Sequence, residues 1–151
     1  FPDDVNASEA RIRIGLAKLR QQTEGTTNWE RALETAENEL KIMEDEEQFA
    51  TVARPELASL LPDIAEGFSN QARQASSTDQ AQAFVSLYEQ AMKLVDNSNY
   101  IPGSLRAGQR TRTESIQTVI LSVQRDINRE KKLVKTVEAI NAVILKSLVR
   151  E

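Results

Sequence analysis

The chain has 151 residues, enough for one domain with a real core, and is 40% hydrophobic and 28% charged, a globular balance. It has no His and no Cys, which removes most nucleophilic triads, thiol chemistry, Cys/His zinc sites, haem ligation and Glu-x-x-His di-iron sites. The net charge of -4 argues against general affinity for nucleic acid. Ala, Leu, Glu, Lys, Arg and Gln make up about half the chain, and five Gly with four Pro are too few to punctuate a fold of many short strands. The expected class is all-α: a four- to five-helix bundle with a long C-terminal helix, in one domain over residues 1–151.

Phe1 to Val5 reads as a tail, and a chain opening on Phe1 reads as a processed product or a piece of a larger protein. Asn6-Ala7-Ser8 fits a glycosylation acceptor, a pattern common by chance. The first helix is predicted over about Ala7 to Thr23, with Asn6 as cap, Glu9 completing a capping box and Gly25 as left-handed terminator. Its apolar positions are Ile12, Leu16 and Leu19, with Ile14 widening the stripe. Gly15, costly in mid-helix, points to close approach by a neighbouring helix.

Thr27 and Glu30 form a second capping box. The stripe Trp29, Leu33, Ala36, Leu40 and Met43 then steps alternately by four and three. This second helix is expected to run to about Ala53, because Pro55 disfavours helical geometry at Arg54. It carries Glu30, Glu34, Glu37, Glu39 and the run Glu44-Asp45-Glu46-Glu47. A calcium loop would need a glycine bend that is lacking, so an acidic face is expected, turned toward solvent or the basic C-terminal helix. No metal or cofactor is expected.

Pro62 predicts a short turn at 55–60 followed by a helix from Pro62 to about Ala75, burying Leu61, Ile64, Ala65, Phe68 and Ala72. Ser77 and Gln80 cap a fourth helix to about Asp96, with Phe84, Leu87, Tyr88, Ala91, Met92 and Val95 inward. Residues 97–110 read as the main internal loop, where Tyr100 is the aromatic open to a partner.

The last helix is predicted to be continuous from Thr113 to Leu148, entered through a capping box of Thr111 and Glu114. Ile116, Ile120, Val123, Ile127, Glu130, Val134, Val137, Asn141, Ile144 and Leu148 step by four and three without a break. Holding that spacing calls for left-handed wrapping along neighbours. Val119, Leu133 and Ile140 widen the stripe beyond a two-stranded seam. Glu130 divides it into a segment inside the bundle and a segment for another protein.

Asn141 reads either as a register-fixing amide or as a half-exposed residue near a bundle end. Ser104 to Glu151 holds ten Lys/Arg against five Asp/Glu. Its Arg125, Arg129 and Lys132 form an outer basic stripe, either a solvated face or a dock for an acidic partner or membrane surface.

No phosphate-binding glycine loop or nucleophile elbow is present. The expectation is a non-catalytic protein–protein interaction or scaffold module of a tethering, trafficking or cytoskeletal assembly. Its partner-binding candidates are Arg125, Arg129, Lys132, Val137, Asn141, Ile144 and Leu148. Self-association is compatible with this pattern, and an intracellular setting is favoured over an extracytoplasmic one. The alternative is an extracytoplasmic helical sensor or secreted structural domain.

Overall fold

A computed structural model describes residues 5–25 and 28–150, and among them there is helix and no strand. Six α-helices follow in order: α1 (Val5–Thr23), α2 (Trp29–Met43), α3 (Arg54–Gln74), α4 (Thr78–Val95), the single turn α5 (Gly103–Arg106) and α6 (Arg110–Arg150). A π-helical turn over Phe49–Ala53 leads into α3, and a 3-10 turn over Ala107–Gln109 leads into α6. The all-α class and the long C-terminal helix are as the periodicity indicates.

Two antiparallel hairpins, α1–α2 and α3–α4, pack together, and the first half of α6 lies across α3 and α4. The core is built from Ile12, Leu16, Leu19, Leu40, Met43, Leu57, Leu61, Ile64, Phe68, Val85 and Ile101, all essentially inaccessible. The α1–α2 seam is tight at Gly15. A methyl placed there would come 2.5 Å from Met43 Cε, the close approach that mid-helix glycine indicated. Gly67 on α3 lies directly beneath the Trp29 indole. Gly25, at φ +61°, is the left-handed residue past the end of α1.

Several local expectations need correction. Helix α1 starts at Val5, so the first five residues are not all tail, and Asn6 lies within the helix instead of capping it. Phe1 to Asp4 fall outside the described residues. Ile14 is 57% exposed and does not widen the buried stripe.

The cap of α2 is Asn28, whose side chain accepts from the Arg31 amide at 3.1 Å. Thr27, the expected cap, is not among the described residues. Helix α2 also stops at Met43, ten residues early. Four acids follow at the negative end of the helix dipole, where carboxylates are disfavoured. The chain turns so that Phe49 enters the core.

Helix α3 runs unbroken through Pro62, where a start was expected. A mid-helix proline costs about 3 kcal/mol. Here Leu57, Ala58, Leu61, Pro62, Ile64 and Ala65 are all buried, and that packing outweighs the lost backbone bond. Arg54 is helical despite preceding Pro55. Its Nε donates to the Asn99 carbonyl at 2.7 Å, and its guanidinium sits 5.5 Å over the Phe49 ring. Part of the supposed loop at 97–110 is helical too, because α5 and the 3-10 turn fill it from Gly103 onward. The chain therefore enters α6 from helix-like backbone, with no capping box at Thr111.

The cap of α4 is as expected. Ser77 Oγ accepts from the Gln80 amide at 3.1 Å, and Gln80 Oε1 accepts from the Ser76 amide at 2.9 Å. Within α4, Tyr88, Ala91, Met92 and Val95 are buried, while Phe84 and Leu87 are only partly covered.

Candidate interaction surface on the distal half of α6

Helix α6 is one rod with two environments. Ile116, Ile120, Val123 and Ile127 are buried against the bundle. Arg112 clamps this half to α3. Its Nε and Nη2 donate to Glu66 Oε2 at 2.9 and 2.8 Å, and Nη2 also donates to Asp63 Oδ1. Burial alone would lower the Arg112 pKa, but the two carboxylates outweigh it and hold it above its usual value.

Past Ile127 every described residue to Arg150 is exposed. That is about 23 residues, roughly 35 Å at 1.5 Å per residue. The projecting segment is far from polar. Leu133, Val134, Val137, Ile140, Val143, Ile144, Leu145, Leu148 and Val149 are each at least half exposed, from 50% at Val134 to 85% at Val149. The predicted stripe exists as a continuous helical face, but it is covered by neighbours only as far as Ile127.

The direction of the distal stripe follows from helix geometry. Five turns take 18 residues, so residues 18 apart point the same way. Arg112 bonds to α3, and Ser115, Ile116 and Val119 share a cleft with Glu66, Ser69, Asn70 and Arg73 of α3. Five turns later these positions are Glu130, Leu133, Val134 and Val137. Ten turns after Arg112 comes Leu148. The uncovered stripe therefore points into the space beyond the C-terminal end of α3. Val123 and Ile127, which line a cleft with Ala81 of α4, repeat as Asn141 and Leu145.

At the foot of the rod an open cleft of about 480 Å³ lies between α6 and the α3–α4 turn. Ala72, Ala75, Val123 and Ile127 give it an apolar floor, with Asp126 and Glu130 on its α6 wall. Thr78 Oγ1 donates to Glu130 Oε2 across this cleft, so Glu130 fastens the rod to the start of α4. The sequence showed only that Glu130 interrupts the stripe.

All seven candidate residues are exposed on the projecting half or at its foot. Val137, Asn141, Ile144 and Leu148 share the stripe. Arg125, Arg129 and Lys132 lie away from it and form a separate basic strip. Two of the acids expected to face solvent or α6 pair with α1 instead. Glu39 pairs with Lys18 of α1 at 3.5 Å, and Glu46, just past α2, pairs with Arg11 at 2.6 Å. The Arg11 hydrogen bond is the main reason the Glu46 carboxyl lies below its usual pKa.

Tyr100 is not offered to a partner. Its hydroxyl donates to Glu44 Oε2 at 2.8 Å, and its ring meets Phe49 edge-on at 6.2 Å. Burial first, then the Glu44 hydrogen bond and charge, push the phenol up to about 12. The raised value means the neutral form favours the folded state. This contribution is present in full below pH 10 and is lost as pH rises from about 10 through 12. An alkaline absorbance titration of the native chain against Tyr100→Phe should assign a phenol near 12 to Tyr100. Loss of a phenol titrating near 10 in that variant would contradict the contact.

Among the described residues no helix is long and apolar enough to cross a membrane, and no three acidic side chains converge to hold a metal. Comparison with protein-family models, curated proteins and solved structures finds no match to this chain.

Proposed function

We propose that this chain is a non-catalytic interaction module that anchors α6 in a helical bundle and presents its distal half to another protein. One observation carries the reading. The core closes at Ile127, yet the same apolar stripe continues for about six more turns without cover. A contiguous exposed apolar face of this size marks an interaction site. The 4-3 spacing suits a helical partner, whose knobs would fit between Val134, Val137 and Ile144.

The test is affinity capture from the protein's own cells with the native chain, Val137→Asp and Ile144→Asp. The native chain should retain partners that both variants lose while remaining helical by circular dichroism. Two folded variants that keep every partner would contradict the reading.

A further inference from the structure

We draw no further inference here: the strongest candidate, the exposed apolar stripe from Leu133 to Leu148 on the distal half of α6, belongs to the docking surface already described, and nothing in the structure shows what covers it.

Discussion

Replacing Gly67 by alanine is expected to cost about 3 kcal/mol of stability, the upper end for forcing one methyl into a packed core. The added carbon would fall within the Trp29 indole, whose ring carbons already lie against the glycine. That ring is rigid and sits where α2 crosses α3, so relief requires the helices to part. For a chain of this size the loss corresponds to roughly 6–12 °C in Tm. Gly15→Ala provides the contrast. There the methyl meets the far end of the Met43 side chain, which can swing aside, and alanine restores about 1 kcal/mol of helix propensity. Thermal melts of the two variants should differ by several degrees, with Gly67→Ala much the lower. Equal melts would show that Trp29 does not stack on α3 as described.

Val137→Asp and Ile144→Asp should behave in the opposite way. Both side chains are more than half exposed in the single chain, so each substitution should change the stability of the bundle by no more than about 0.5 kcal/mol. Docking is another matter. A carboxylate placed in the seam must be desolvated without a partner, at a cost of several kcal/mol, or a hundredfold or more in affinity. Binding that collapses while melting stays unchanged is the signature of an interface residue. Melting that falls with binding would place these side chains in an intramolecular core instead. Arg125→Ala and Lys132→Ala, on the separate basic strip, should leave docking within a few fold.

The sequence was most legible where one periodicity ran long. The stepping from Ile116 to Leu148 gave a single helix and the right inward residues as far as Ile127. It also placed the change of environment at Glu130. It could not say that Glu130 bonds to Thr78 or that the stripe continues the α3-facing side, because both depend on where other helices end.

The failures share one cause: a local rule was overridden by packing. Pro62 reads as a helix start until Leu57, Leu61 and Ile64 are seen buried around it. The acids after Met43 look helix-forming one by one, yet together they sit at the wrong end of a dipole, beside a Phe49 that must turn inward. Tyr100, in a turn-rich segment, looked free. Its partners, Glu44 and Phe49, lie far away in the chain.

The central claim, that the distal half of α6 is a docking surface left open by the bundle, is tested most directly by hydrogen exchange of the backbone amides from 130 to 148, in the chain alone and in the complexes captured from cells. Protection of those amides should rise in the complexes, and Ile144→Asp should abolish the rise without affecting amides 112–127. Exchange of these amides at the same rate in the complexes and in the chain alone would contradict the claim.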